Sequence, residues 1–222
     1  MNKKEDFYSY PNIINMKITK KETLFILDWD DTLFPTNWVM QNGINLTVSS
    51  TRDQYIIYFQ ELDRVLSKFL KRATSLGKVI IVTNALLVWI DISSVVLPST
   101  YHLLRKVEII SARGTYKDKS PKMMDWKMMA FRDLIDREFK NIKLMNIISV
   151  GDAEYEYQAL IALNNRKLGT KKFLKSVRFM KDPTHDILID QLEVLNDAIP
   201  KIWNQDKHLD LKFNNFLKQA CL

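Results

Sequence analysis

Leu24-Phe25-Ile26-Leu27-Asp28-Trp29-Asp30-Asp31-Thr32-Leu33 is a run of strand formers that ends in three acids within four residues. An unpaired carboxylate near a protein interior costs several kcal/mol unless a metal, a partner or a changed pKa compensates. At the carboxyl end of a strand in an α/β sheet, where ligands bind, the same acids become a site. Strand alternation aims Asp28 and Asp30 one way and Asp31 the other, which makes Asp31 the outward-facing exception. Two carboxylates facing one crevice fit a nucleophile with an acid/base, a metal site, or both.

Working outward, apolar runs alternate with helical periods, the pattern of a parallel sheet covered by helices. Leu24–Leu27 reads as the first strand, and residues 34–50 as a flap or hairpin. A helix follows, with Thr51 and Gln54 as its capping box and Phe59, Leu62, Leu66, Phe69 and Ala73 as its buried stripe. Val79–Val82 is the second strand, ending at Thr83-Asn84, and helical material from Ala85 to Lys106 is interrupted near Pro98. Val107–Ile110 is a third strand, with a polar loop over Ser111–Ser120. A helix from Asp125 to Phe139 leads to the fourth strand, Ile147–Val150, which ends at Gly151-Asp152. A helix from Glu154, a short fifth strand at Val177–Phe179 and a helix at Ile187–Leu195 complete the pattern. The expectation is a three-layer, Rossmann-like α/β fold of about five parallel strands with helices on both faces. Residues 1–21 read as a polar extension, 22–200 as the domain and 201–222 as a helical tail.

The 222 residues are 46% hydrophobic and 27% charged, enough to bury a full core in one domain. One cysteine, Cys221, excludes a disulfide framework or a cysteine metal cluster, and it lies too near the end for a prenylation signal. Lys3, Lys4, Glu5 and Asp6 interrupt any signal-peptide core. Val79–Pro98 contains Thr83, Asn84, Asp91, Ser93 and Ser94, which excludes the roughly 20-residue apolar run of a membrane span. A cytoplasmic protein is expected. The net charge of +7 concentrates at Lys20-Lys21, at Lys117, Lys119 and Lys122, and at Arg166-Lys167, Lys171-Lys172 and Lys175. That balance favours anionic partners such as phosphoproteins, nucleic acid or acidic lipid. No aromatic-interleaved basic ribbon for stacking bases is present.

Right-handed crossovers gather Asp28, Asp30, Thr83, Asn84 and Asp152 along one edge of the sheet. With that set in order, the chain resembles the haloacid dehalogenase superfamily of phosphatases and phosphotransferases over residues 22–195. Asp28-Trp29-Asp30-Asp31-Thr32 matches its Asp-x-Asp-x-Thr motif, Val79–Thr83 its strand ending in Thr or Ser, and Gly151-Asp152 with Glu156 its acidic fourth motif. The resemblance implies that Asp28 attacks phosphorus and becomes an aspartyl-phosphate, while Asp30 protonates the leaving oxygen and then activates water. It implies a magnesium ion held by Asp28, Asp152 and the Asp30 backbone carbonyl, with Glu156 reaching it through water. Thr83 and Asn84 would bind the phosphoryl group; a strand-end residue satisfying nearby backbone is the plainer account of Thr83. Relatives that cleave carbon–halogen bonds or pump ions generally lack the second acid, so Asp30 favours a phosphatase or a phosphomutase over both.

The family's third motif is a lysine, and Lys119, Lys122 and Lys127 all precede the fourth strand. Lys127 is preferred and Lys122 second, because Trp126-Lys127 opens a helix whose free N–H groups welcome phosphate. Asp31 replaces the usual small residue, as in relatives with Asp-x-Asp-Asp-Thr, where it would cap or brace the flap; the metal's distal acid is Glu154 or Glu156. Residues 33–51 and 84–120 leave no room for a large cap domain. A capless site implies a large substrate or a cap borrowed from another subunit, and the similarity of Asp28–Pro35 to capless phosphotyrosine phosphatases tilts this toward a phosphoprotein. A nucleic acid end phosphatase and a catalytically idle module that binds a phosphorylated partner are the alternatives, and the sequence leaves the oligomeric state open.

Overall fold

The computed structural model describes residues 17–139, 144–165 and 171–213. Most of the expected N-terminal extension, the Arg166-Lys167 pair and Cys221 lie outside the described residues. Strand β1 (Thr23–Leu27) leads through the acidic loop to α1 (Thr36–Gln41), α2 (Ser49–Arg52) and the long α3 (Ile56–Leu76). Then come β2 (Lys78–Thr83), α4 (Leu87–Ser94), α5 (Pro98–Leu104), β3 (Glu108–Ser111) and α6 (Ala112–Tyr116). The second half runs α7 (Met123–Glu138), β4 (Leu144–Gly151), α8 (Glu154–Ala162), β5 (Lys171–Arg178), α9 (His185–Trp203) and β6 (Leu209–Lys212).

The strands form one all-parallel sheet in the order β3-β2-β1-β4-β5-β6. Strand order reverses between β1 and β4, and the crevice at their carboxyl ends is the switch point where such sheets bind ligands. Alternation divides the core in two. Phe25, Leu27, Val79, Ile81, Ile148 and Val150 pack with residues of α3 and α9 on one face. Leu24, Ile26, Ile80, Val82, Met145 and Ile147 pack with α7 and α8 on the other. Every residue of β1 is buried, as a central parallel strand requires. This is the Rossmann-like α/β architecture expected.

Several elements differ in detail. The sheet has six strands rather than five, because the expected helical tail contributes β6, pinned to β5 by a two-pronged Arg178–Asp210 ion pair at 2.9 and 2.7 Å. Strand β5 is longer than expected because Lys175 interrupts its apolar pattern, yet Lys175 is fully buried. Its ammonium donates at 2.8 Å to the carbonyls of Ile202 and Trp203, in the last turn of α9. Residues 34–50 form helix and turns, not a hairpin, with Gly43 at φ +64 after α1. Thr51 makes no capping box: its hydroxyl donates to the Asn45 and Val48 carbonyls, and α3 starts at Ile56. The loop expected over Ser111–Ser120 contains α6, capped by the Ser111 hydroxyl accepting from Gly114 N–H at 2.9 Å. Among the described residues, no helix is long and apolar enough to cross a membrane.

Candidate functional site

The chain leaves the sheet at Asp28, whose N–H still donates to the Val150 carbonyl at 2.9 Å. Beyond it the Trp29 carbonyl accepts from the N–H groups of Thr32, Leu33 and Phe34, at 3.3, 2.9 and 2.9 Å. This curl is anchored by the buried Trp29 indole, which donates to Ser93 Oγ at 3.0 Å. Asp31 sits in it at φ +53, a left-handed conformation that Asp tolerates better than most residues. Strand alternation therefore fails past Leu27, and the outward placement expected of Asp31 is wrong. Asp31 is 5% exposed and shares a cavity with Asp28 and Asp30. It accepts from Asn37 N–H at 2.9 Å and so braces the start of α1, the other role considered for it.

That cavity, about 390 Å³, opens at the carboxyl edge of the sheet. Asp28 lies at its floor, and Lys127, fully buried, reaches it from α7. The Lys127 ammonium is 2.6 Å from Asp28 Oδ1, a charge contact without a well-directed hydrogen bond, and it also pairs with Glu156. Asp28, Asp152 and Glu156 each offer a carboxylate oxygen within 4.8 Å of the others. Burial pushes the Asp28 carboxyl well above its ordinary range; Lys127 opposes this, while Glu156 and Asp152 add to it. Burial, then Glu156 and Asp31, raise Asp152 to about 7. Asp31 rises to about 6, from burial and the nearby Asp30 and Asp182 against its Asn37 hydrogen bond. Burial alone would lower Lys127, but the Asp28 and Glu156 carboxylates outweigh it and hold the ammonium charged.

Gly151 makes room for this packing. A Cβ there would meet Glu156 Cβ and Cδ at 2.9 Å, which real side chains do not tolerate. Glu156 thus folds back under the β4–α8 turn, accepting from Ala153 N–H at 3.1 Å while holding Lys127. Glu154 instead pairs with Arg178 at 3.0 Å on the cavity rim. Lys122 caps α7 as an exposed residue and does not line the cavity, whereas Lys127 does. The helix begins at Met123, so Lys127 lies beyond its first turn; burial and pairing, not the helix end, single it out.

Asp30 contributes no carboxylate to the three-acid cluster. Its Oδ1 accepts from Thr36 Oγ1 at 2.6 Å and Trp89 Nε1 at 2.8 Å, and its Oδ2 from Thr83 Oγ1 at 3.2 Å. Thr83 is fully buried and also accepts from Ala85 N–H at 2.9 Å, the strand-end role considered for it. Asn84 lines the cavity with both atoms of its side-chain amide buried and unpartnered. The cavity further includes Asn37, Tyr155, Lys181 and Asp182, none of which the sequence singled out. Tyr155 lies against the Lys127 ammonium at 5.3 Å, and Asn37 ties α1 to Asp182, the second left-handed residue of the site. Trp89 was hidden inside an apolar helical segment, where an indole reads as core. Only its N–H, satisfied by Asp30, marks it.

The six carboxylates of the cavity wall (Asp28, Asp30, Asp31, Asp152, Glu154 and Asp182) face two lysines, Lys127 and Lys181. The arrangement can take up a hard cation and present a carboxylate nucleophile to an electrophile. No protein-family model matches this chain, and no curated protein matches it.

Proposed function

We propose that the protein is a magnesium-dependent phosphomonoester hydrolase of the haloacid dehalogenase type, working through an aspartyl-phosphate. The observation that carries this is the Lys127–Asp28 contact at 2.6 Å inside the Asp28, Asp152 and Glu156 cluster, at the switch point of the sheet. The donor set fits magnesium: every group is a hard oxygen, and the wall holds an excess of negative charge that a dication would offset. Asp28, Asp152 and the Asp30 carbonyl would hold the ion, with Glu156 behind them. Bound there, it would supply charge neutralisation for an anionic phosphoryl group.

In this reading the Asp28 carboxylate attacks phosphorus as the bond to the leaving oxygen breaks, and Asp30 gives that oxygen its proton. Water then attacks the aspartyl-phosphate, passes a proton back to Asp30, and frees Asp28 and inorganic phosphate. Lys127 keeps its charge beside Asp28 throughout. The unpartnered Asn84 amide is a donor for a phosphoryl oxygen, since a buried unpaired amide is otherwise a cost of about 1–3 kcal/mol.

The substrate we favour is a phosphoprotein. The net charge of the chain is positive, but the mouth is not: the exposed Glu154 and Asp182 stand around it with Lys181. A polynucleotide end would press further phosphates against those acids. Residues 33–51 and 84–120 are taken up by α1, α2, α4, α5, β3, α6 and their turns, which leaves the crevice uncovered among the described residues.

The test compares a phosphopeptide with oligonucleotides phosphorylated at the 3′ or 5′ end, in magnesium and then in EDTA, with Asp28→Asn as control. Phosphate release from the peptide that needs magnesium and falls by at least about a thousandfold in Asp28→Asn is expected. Activity that survives Asp28→Asn would sink the aspartyl-phosphate. No hydrolysis of any substrate, with partner binding intact in Asp28→Asn, would make the protein a phosphate-binding module.

A further inference from the structure

The two oxygens of Asp30 are held unequally. Oδ1 takes the Trp89 indole N–H at 2.8 Å and the Thr36 hydroxyl at 2.6 Å, whereas Oδ2 has the longer Thr83 contact at 3.2 Å. The indole is a donor and never an acceptor, so it cannot take a proton from Asp30 and bonds most strongly to an unprotonated Oδ1. Trp89 Nε1 also lies 3.4 Å from Thr36 Oγ1, and Trp89 meets Phe34 edge-on at 6.0 Å. Phe34 in turn stacks on Trp29 and Phe59, both fully buried. The donor that sets the Asp30 carboxylate is therefore locked by aromatic packing, as a rigid support for proton transfer needs to be.

We propose that Trp89, with Thr36, is the positioning residue that fixes Asp30 so that Oδ2 alone carries the proton exchanged with substrate. This rests on the phosphatase reading above. As the Asp28–phosphorus bond forms and the leaving oxygen departs, the proton on Oδ2 moves to that oxygen. When water attacks the aspartyl-phosphate, a proton from the water returns to Oδ2 and the Asp28–phosphorus bond breaks. Oδ1 stays a pure acceptor in both steps. Trp89 touches neither substrate nor phosphorus; it acts through the aim of Asp30.

The role makes a statement about leaving groups that a merely structural tryptophan does not. An alkyl phosphate expels an alkoxide, which needs the proton of Asp30. p-Nitrophenyl phosphate expels a phenolate that departs without one. Trp89→Phe keeps the ring against Phe34 and removes the N–H. Its kcat/KM, which reads the steps up to departure of the leaving group, is expected to fall about tenfold on an alkyl phosphate such as phosphoserine and less than about threefold on p-nitrophenyl phosphate. Thr36→Val should lower the alkyl-to-aryl ratio of kcat/KM likewise, and Thr36→Ser should restore it. The ratio does not depend on how much of a variant is folded. An unchanged ratio in Trp89→Phe and Thr36→Val, with wild type active, overturns the positioning role alone. A wild type that hydrolyses neither ester in magnesium overturns the phosphatase reading and this role with it.

Discussion

The Asp28, Lys127 and Glu156 side chains are buried together, one ammonium between two carboxylates. Removing the ammonium leaves two carboxylates in a low-dielectric floor with Asp152 close by. Lys127→Ala should destabilise the metal-free protein by about 3–5 kcal/mol, read by urea denaturation in EDTA. Asp152→Asn should act oppositely. It relieves like-charge crowding, so the metal-free protein should gain about 1 kcal/mol or more at neutral pH. If magnesium binds as proposed it should raise the melting temperature of the wild type, and the same substitution should abolish that rise. A magnesium shift that survives Asp152→Asn would remove Asp152 from the proposed metal site. Asp28 and Asp152 were legible in the sequence because acids closing an apolar strand have few structural uses. Asp31 departs from the expectation because alternation ends with β1, where the chain enters a curl organised by the Trp29 and Phe34 carbonyls.

At the scale of elements, a carboxylate from one helix caps another. Asp63, in the middle of α3, is 6% exposed and accepts from the N–H groups of Ser99 and Thr100 at 2.9 and 2.7 Å. These are two of the free donors at the start of α5, where Pro98 has none to offer. Asp63→Ala would strand both donors in a buried contact and should cost about 2–3 kcal/mol in denaturant unfolding. Asp63→Asn, which keeps an acceptor, should cost less. The stripe Phe59, Leu62, Leu66, Phe69 and Ala73 is fully buried, as its helical spacing implies. The partner of Asp63 lies on another helix and leaves no local signature, so periodicity could not find it.

At the scale of the molecule, Lys175 joins β5 to the end of α9 and sits beneath the sheet's edge. Burial brings its ammonium from the ordinary 10.5 down to about 8, with Asp206 opposing. Below about 8 both folded and unfolded chains carry the proton, and folding bears the full cost of burying it. Between about 8 and 10.5 the unfolded chain holds more protons, so this contribution to stability rises with pH. Denaturant titrations across that window should show the rise in wild type and its loss in Lys175→Met. A wild type and variant with parallel pH profiles would refute it. The lysines are thus of different kinds: Lys122 exposed, Lys127 and Lys175 interior.

Read alone, the chain determined its α/β class, the strand that carries the acids, and the gathering of Asp28, Asp30, Thr83, Asn84 and Asp152 at one edge. Parallel strands buried on both faces must be apolar runs, and acids closing such runs stand out against them. Tertiary structure decided which lysine is interior, which glutamate turns inward beside Gly151, and that Trp89 and Thr36 hold Asp30. Those outcomes depend on contacts such as Lys127–Glu156 and Trp89–Asp30, 29 and 59 positions apart, where neither period nor spacing records who meets whom.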